Sequence, residues 1–223
     1  MAVLTIAQRL EAVTERVRRA AERAGRSPEE VTIVAVSKGF PPEVVREGVA
    51  AGLRHVGENR VQEAAAKLPR LADLPITWHM VGHLQTNKVK TALELFAIIH
   101  SVDSIHLAET ISHHAQGPIP ILLEVNVAGE EGKFGLATEE VSRAADAIAR
   151  LPRLEVRGLM TVAPVVPDPG EVRPVFRRLR ELRDALGLRE LSMGMTDDFE
   201  VAVEEGATMV RIGRAIFGER PEP

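Results

Sequence analysis

The run Val31-Thr-Ile-Val-Ala-Val-Ser-Lys38 decides how the rest of the chain is interpreted. Val, Ile and Thr dominate it, as expected for a strand buried on both faces of a parallel sheet. Lys38 follows at once, and Gly39-Phe40-Pro41-Pro42 then ends the strand and opens a helix. The carboxyl end of such a strand is where α/β folds place their chemistry. Burial there favours the neutral amine, which can form a Schiff base with a carbonyl; the alternative is a lysine that extends to solvent.

The scarcity of lysine strengthens the functional interpretation of Lys38. Only five lysines occur among the 28 basic residues, so arginine supplies the other 23. A chain that builds its charged surface from arginine has nevertheless kept a lysine directly after a buried strand. We therefore favour a chemical role for Lys38 over a purely solvated one.

The composition argues against several classes of protein. The 223 residues suit one large domain or two small ones, and a hydrophobic content of 45% is enough for a sizeable core. A net charge of −4 and an aromatic content of 3% give no reason to expect nucleic acid. The absence of cysteine excludes disulfides and thiolate metal sites. No apolar run is long enough for a membrane span, and the N-terminus is no targeting signal, so we expect a cytoplasmic protein.

Strand-like and helix-like segments alternate along the whole chain. An amphipathic helix over 4–24 comes first, and we predict strands at 31–37, 54–57, 76–81, 96–101, 119–126, 154–160, 190–192 and 208–211, each followed by a helix. Alternation implies a parallel sheet with right-handed crossovers. Eight units imply a closed (β/α)8 TIM barrel, with 1–223 as a single domain. An open doubly wound sheet is the alternative. The barrel prediction depends most on the strand at 190–192, whose sequence signal is weak.

The ends of the last two predicted strands combine glycine with polar groups and helix starts. They read Ser192-Met-Gly-Met-Thr-Asp-Asp198 and Arg211-Ile-Gly-Arg214. Barrels commonly bind phosphate after strands seven and eight, where glycine lets backbone amides approach an anion and a helix N-terminus adds donors. The structural alternatives are an ordinary helix cap at 196–198 and a tight turn at Gly213.

A pyridoxal phosphate (PLP) site would combine these two features: a lysine on strand one and, facing it, a phosphate-binding rim on strands seven and eight. Lys38 would hold the aldehyde, and Thr196 with the amides near Gly213 and Arg214 would hold the phosphate. Arg211 could reach the pyridine nitrogen. Because arginine stays protonated, it would keep that nitrogen unprotonated and weaken the ring as an electron sink.

Several longer motifs carry a resemblance to a known family. They are Ala35-Val-Ser-Lys38, Val56-Gly-Glu-Asn59, Trp78-His-Met-Val-Gly82, Arg157-Gly-Leu-Met160, Leu191-Ser-Met-Gly-Met195 and Met209-Val-Arg-Ile-Gly213. On these motifs the chain resembles the YggS/PROSC family of pyridoxal phosphate homeostasis proteins, from about residue 4 to residue 220. The resemblance implies an alanine-racemase-like barrel of PLP fold type III, which carries the cofactor on Lys38.

The resemblance also implies further cofactor contacts. It places Arg211 at the pyridine nitrogen and Asn59 near the ring, and we add Met193 and His79 to the expected contacts. For His79 we expect either packing against the ring or a hydrogen bond at the strand end. His83 and Gly39 stand where the family commonly has proline and threonine.

Carrying the cofactor is favoured over catalysis. A two-base racemase of this fold needs a second acid or base opposite the lysine, typically a tyrosine, and the chain has no tyrosine. We therefore expect a protein of PLP homeostasis without turnover of its own, with no catalytic or metal-binding residue assigned. It would be a monomer that contacts PLP-requiring apo-enzymes transiently. The alternatives are a PLP-dependent amino-acid racemase that uses the same lysine, and a phosphosugar barrel enzyme in which Lys38 is incidental.

Overall fold

A closed barrel of eight parallel strands forms the centre of the molecule in the computed structural model, which describes residues 4–219. Its strands are β1 Thr32–Val36, β2 His55–Glu58, β3 Thr77–Met80, β4 Ile98–Val102, β5 Ile119–Glu124, β6 Leu154–Met160, β7 Glu190–Ser192 and β8 Met209–Ile212. The barrel closes because β1 pairs with β8, from Thr32 opposite Met209 to Ala35 opposite Ile212. The predicted (β/α)8 barrel is confirmed, and the open sheet is wrong.

Helices surround the barrel. They are α1 Ile6–Arg23, α2 Pro42–Ala50, α3 Val61–Lys67, α4 Val89–Leu95, α5 Ile105–His114, α6 Val141–Ile148, α7 Arg173–Ala185, α8 Phe199–Glu204 and α9 Arg214–Phe217. Short 3-10 helices occupy Pro28–Glu30, Leu68–Leu71, Thr86–Lys88 and Pro169–Val172. The helix predicted over 60–71 is therefore two segments, because Pro69 has no amide proton to continue the α-helical ladder.

The fifth strand is shorter than its sequence pattern suggests. It ends at Glu124, whereas the pattern predicts a strand to Asn126. The side chain of Asn126 instead holds the following loop: its amide donates to Glu130 O over 2.9 Å, and its oxygen accepts from Glu130 N over 3.2 Å. Asparagine commonly stabilises turns in this way.

Helix α1 precedes the barrel and packs against α8 and α9. Thr5 begins it with a capping box, in which the Thr5 hydroxyl accepts from Gln8 N over 3.2 Å and Gln8 Oε1 accepts from Thr5 N over 3.0 Å. The predicted apolar face is buried, and its members are Ile6, Leu10, Val13 and Val17. Burial of this stripe attaches α1 to the barrel wall.

The barrel interior is partly polar. A small apolar cluster inside it includes Val34, Ile98 and Met209. Side chains alternate along a strand, so His100 shares its face with Ile98, and Arg211 shares its face with Met209. Both polar side chains are buried. Because buried polar groups need partners, we expect hydrogen bonds across the interior, and these shape the site described below.

Strands β6 and β7 approach each other closely at Gly158. A Cβ atom at this position would lie 1.9 Å from Glu190 O, the residue opposite Gly158 in the ladder. The register between β5 and β6 also shifts beside it, between Ile121 and Leu122. Only glycine fits there without displacing β7, which has just three residues.

Candidate functional site

Lys38 lies in a tight turn at the carboxyl end of β1. Phe40 N donates to Ser37 O over 3.1 Å and closes the turn, while Gly39 has a φ of +78°. Glycine reaches this left-handed region without steric cost, which explains why it suits the position after Lys38. Gly39 N also donates to Glu63 Oε1 over 2.5 Å and ties the turn to α3. The turn presents Lys38, half-buried, at the rim of the barrel.

A buried ion pair supports this turn from behind. Lys67 Nζ donates to Ser37 O over 2.8 Å and to Glu58 Oε1 over 2.5 Å, and the Ser37 hydroxyl donates to the same Glu58 oxygen over 2.5 Å. The side chains of Lys67 and Glu58 are 4% and 0% exposed. Burial raises the pKa of Glu58, against the lowering effect of the hydrogen bonds from Lys67 and Ser37. Sequence reasoning missed Lys67, because a lysine at a helix end is usually solvated.

The predicted ends of strands one and eight meet in one cavity. Lys38, Gly213 and Arg214 line a cavity of about 360 Å³, together with Val36 and Phe40. A Cβ atom at Gly213 would come within 3.2 Å of Val36 O, so glycine keeps β1 and the start of α9 close together. The pairing of β1 with β8 therefore brings the proposed Schiff-base lysine beside two of the three proposed phosphate-binding residues.

A second cavity of about 510 Å³ adjoins Thr196 and Arg214. Because Arg214 lines both cavities, the ends of β7 and β8 form one continuous rim. The guanidinium of Arg214 donates to both carboxylate oxygens of Asp197, over 2.7 and 2.9 Å. The loop is compact at Gly194, whose φ is +90° and whose added Cβ would lie 2.5 Å from Ala202 Cβ.

Arg211 is held inside the barrel by three hydrogen bonds. Nη1 donates to Ser192 O over 2.7 Å and to Ser192 Oγ over 2.6 Å, while Nη2 donates to Thr161 O over 2.8 Å. Burial lowers its pKa to about 10, with the charges of Glu124 and Asp198 acting in the opposite direction. The guanidinium is therefore charged at neutral pH, and its position is fixed by the ends of β6 and β7.

Glu124 is a second buried charge in this part of the barrel. Its side chain is largely buried, and Oε2 has no hydrogen-bond partner among the residues described. Its pKa is raised to about 7, chiefly by burial, with the charge of Arg211 acting in the opposite direction and that of Asp103 in the same one. Glu124 is thus a carboxyl group that changes charge near neutral pH close to Arg211.

His79 belongs to a row of imidazoles inside the barrel. His55 Nδ1 lies 3.0 Å from His79 Nε2, and His79 Nδ1 lies 2.9 Å from His100 Nε2. His100 Nδ1 lies 2.8 Å from Ser192 Oγ, to which Arg211 also donates. Contact of His79 with a cofactor stays a prediction; what the structure adds is its link to Arg211. Sequence reasoning missed His55, His100 and Ser192, although the presence of a histidine on each of three consecutive strands was a usable signal.

The remaining predicted site residues lie at different depths. Asn59 follows β2, and its backbone packs against Gly82, where an added Cβ would lie 2.4 Å from Asn59 O. Met193 is fully buried in the main hydrophobic core, and its contact with a cofactor stays a prediction. His83 stacks on Phe134 with ring centroids 3.6 Å apart. Its Nδ1 lies 3.1 Å from Asp103 Oδ2.

Over the range 4–219, the structure has no helix long and apolar enough to cross a membrane. The same range contains no group of three or more His, Cys, Asp or Glu side chains arranged to hold a metal ion.

Comparison with known proteins gives one consistent result. The family described as alanine racemase, N-terminal domain, matches residues 8–221. A pyridoxal phosphate homeostasis protein of Aquifex aeolicus (strain VF5) is 48% identical over 222 residues, covering 96% of this chain and 97% of the relative. A relative of the same name from Pseudomonas aeruginosa is 46% identical over 221 residues, covering 97% and 96%.

Solved structures agree with the sequence relatives. PipY of Synechococcus elongatus PCC7942 without PLP has 38% identity and a TM-score of 0.85, covering 96% of this chain and 100% of that one. The same protein with PLP bound has 39% identity and a TM-score of 0.81, covering 91% and 100%. The chain therefore belongs to the alanine racemase N-terminal domain family and, within it, to the pyridoxal phosphate homeostasis proteins.

Proposed function

We propose that this protein binds PLP as a Schiff base on Lys38 and serves PLP homeostasis without catalytic turnover of its own. The observation that carries the proposal is the shared cavity of Lys38, Gly213 and Arg214 across the β1–β8 seam. Relatives over nearly the full length bear the name pyridoxal phosphate homeostasis protein, and PipY has been solved with PLP bound. Both findings support the same assignment.

The residues present fit this cofactor. Gly213 has no side chain and lines the cavity beside Lys38, so its backbone faces the space where a phosphate would bind, and Arg214 and Thr196 line the adjoining rim. A phosphate group needs cationic and N–H donors, which this rim supplies. When bound, PLP supplies a reactive aldehyde and an aromatic ring. Lys38 would hold the aldehyde end, and Asn59 and Arg211 would lie towards the ring.

Arg211 would weaken a bound cofactor ring as an electron sink, and the absence of tyrosine argues against a two-base racemase. Three hydrogen bonds hold its guanidinium in the barrel, and its pKa of about 10 keeps it charged at neutral pH. A fixed cation disfavours a proton on any ring nitrogen placed against it, which limits the withdrawal of electrons into the ring. The chain also lacks tyrosine, so it has no such residue to act as a second base opposite Lys38.

We further propose that the protein is a cytoplasmic monomer that delivers PLP to apo-enzymes by transient contact. The loop after β6 supports such contacts, because it exposes apolar side chains at the rim that carries Thr196. Val162 is 38% exposed and Val165 is 97% exposed. Light scattering checks the monomer, and the rate at which an apo-enzyme gains activity from the loaded protein, compared with free PLP, checks the delivery.

Reduction and peptide mapping test the covalent assignment. The purified protein is incubated with PLP, reduced with borohydride and digested, and the modified lysine is identified by mass spectrometry. We expect the label on Lys38 and a visible absorption band before reduction. Lys38→Ala should lose both, whereas Lys90→Ala, a change at an exposed lysine, should keep both. A Lys38→Ala protein that keeps the band and the label would overturn the proposal.

A further inference from the structure

A cavity of about 470 Å³ lies at the amino-terminal mouth of the barrel, at the end opposite Lys38. We call it the lower cavity. Of the residues predicted to contact PLP, His79 also lines this cavity, and its ring nitrogens are paired with His55 and His100. The wall includes the first residues of six strands, which are Thr32, His55, Thr77, Ile98, Glu190 and Met209.

Glu190 directs a carboxylate into the lower cavity. It begins β7 and shares its inward face with Ser192, whose hydroxyl contacts Arg211 inside the barrel. Glu190 Oε1 lies 4.0 Å from Arg157 Nη1, beyond hydrogen-bond distance, and Oε2 is buried without a hydrogen-bond partner among residues 4–219. Burial raises the pKa of Glu190, against the lowering effect of Arg157. A buried polar atom without a partner is uncommon in folded proteins and calls for an explanation.

Arg157 supplies a positive group beside this carboxylate. Its Nε and Nη2 donate to Glu155 Oε2 over 3.2 and 2.9 Å, so Nη1 is the nitrogen that faces Glu190. Arg157 and Glu190 stand on neighbouring strands, and the ladder places Gly158 opposite Glu190. The close approach of the strands at Gly158 therefore fixes the spacing of the two charged groups. Arg157 belongs to one of the sequence motifs given above, and the proposed cofactor site leaves it without a role.

Other polar groups in the wall have partners of their own. Glu30, the second carboxylate, accepts from Arg26 Nε over 3.1 Å. His55 Nδ1 lies 3.0 Å from His79 Nε2, and burial lowers the pKa of His55, which favours its neutral ring. The charges of a ligand in the lower cavity would therefore meet Glu190 and Arg157 Nη1.

The inner wall of the lower cavity is apolar. Ile98 and Met209 belong to the apolar cluster inside the barrel, and Ala97 and Pro120 also line the cavity. Small-molecule sites commonly have this volume and combine apolar walls with a few polar groups that fix the orientation of the ligand. A ligand that fits would carry charged groups at one end and an apolar group at the other.

We propose that the lower cavity binds a small α-amino acid with an apolar side chain. The ammonium group would donate to Glu190, whose soft terminal torsion can turn either oxygen towards it. The carboxylate would accept from Arg157 Nη1, and the side chain would pack on Ile98 and Met209. An amine alone would leave Arg157 Nη1 unused, and a carboxylic acid alone would leave Glu190 unused. PLP takes no part in this site, so the inference goes beyond the proposed function.

Calorimetric titration of the protein without PLP tests the proposal, with L-leucine as the probe. We expect saturable binding at one site. The analogues 3-methylbutylamine, which lacks the carboxylate, and 4-methylpentanoate, which lacks the ammonium group, should each bind at least about tenfold more weakly, as expected for one missing hydrogen bond to a charged group. Glu190→Gln should weaken leucine binding by a similar factor, whereas Glu109→Gln, at an exposed position on α5, should bind leucine as the wild type does.

Imidazole NMR signals of ¹⁵N-histidine protein locate the bound leucine. The signals of His55 should shift as leucine saturates the protein, and they should shift equally in Lys38→Ala, because Lys38 lies at the other end of the barrel. If Glu190→Gln does not fold, the two analogues and the His55 signals still decide.

Three results would overturn the proposal: wild-type protein that does not bind leucine, 3-methylbutylamine that binds as tightly as leucine, or leucine binding that Lys38→Ala abolishes. These measurements use no PLP. Their failure would therefore leave the borohydride labelling of Lys38 as an independent test of the proposed function.

Discussion

Replacement of Lys67 by methionine is expected to destabilise the protein strongly. Lys67 is the buried partner of Glu58 and also donates to Ser37 O, directly before Lys38. Methionine has a similar length and keeps the apolar part of the side chain, so the change removes mainly the charge and its hydrogen bonds. Glu58, fully buried, loses its counter-charge.

The magnitude follows from what Glu58 loses. A hydrogen bond to a charged group contributes about 1.5–3 kcal/mol, and removing one partner of a buried ion pair costs roughly 3–5 kcal/mol. Burial already raises the pKa of Glu58, and loss of the hydrogen bond and charge of Lys67 raises it further, which favours the protonated carboxyl group. Protonation limits the penalty, and we expect a loss of about 3–4 kcal/mol in the free energy of unfolding.

Urea denaturation at neutral pH measures this loss. Lys90→Met changes an exposed lysine and should remain within about 0.5 kcal/mol of the wild type. The double variant Lys67→Met with Glu58→Gln should recover part of the loss, because it removes the unpaired charge. A Lys67→Met protein less than about 1 kcal/mol below the wild type would refute the reasoning that the buried pair supports the Lys38 turn.

Three further predictions concern other residues. The pKa of Glu124 is raised to about 7. Between pH ~4.5 and about pH 7 the folded state therefore binds more protons than the unfolded state. The free energy of unfolding should fall by up to about 3 kcal/mol as the pH rises through this range. Glu124→Gln should flatten that dependence in thermal unfolding measured across the window; an unchanged slope would contradict the burial effect. Gly158→Ala should lower the free energy of unfolding by at least about 1–3 kcal/mol, because the new Cβ would meet Glu190 O. Gly117→Ala places its Cβ in open space and should change the free energy of unfolding little in the same denaturation assay. Polarimetry of L-alanine with micromolar loaded protein should show no loss of rotation, and prompt loss would favour the racemase.

The barrel could be predicted because its signals are local. Strand-like and helix-like segments alternate along the chain with glycine and proline between many of them, and even β7, at 190–192, has the predicted bounds. The cavity shared by Lys38 and Gly213 could also be predicted, since parallel strands place their carboxyl ends at one face. The buried ion pair of Lys67 could not be predicted, because a single charged residue at a helix end is usually solvated and no local pattern indicates its burial.

The row of His55, His79 and His100 could not be predicted, because it depends on the geometry of the whole barrel and not on a local sequence pattern. His55, His79 and His100 stand on three consecutive strands, but only the tilt and closure of the barrel bring His100 across to Ser192 on β7. A histidine on an apolar strand face is compatible with many partners. Its actual partner is set by the packing of the opposite wall.

The same row joins two halves of the polypeptide. His55, His79 and His100 precede β5, and Ser192 and Arg211 follow it, so the contact of His100 with Ser192 links the two sets. A chain cut between α5 and β5 would give two fragments, each with buried polar groups whose partners lie in the other piece. Leaving such groups unpaired is costly, so each fragment should prefer its complement to a second copy of itself. The barrel is therefore a candidate scaffold for a split reporter that reassembles only as the matched pair.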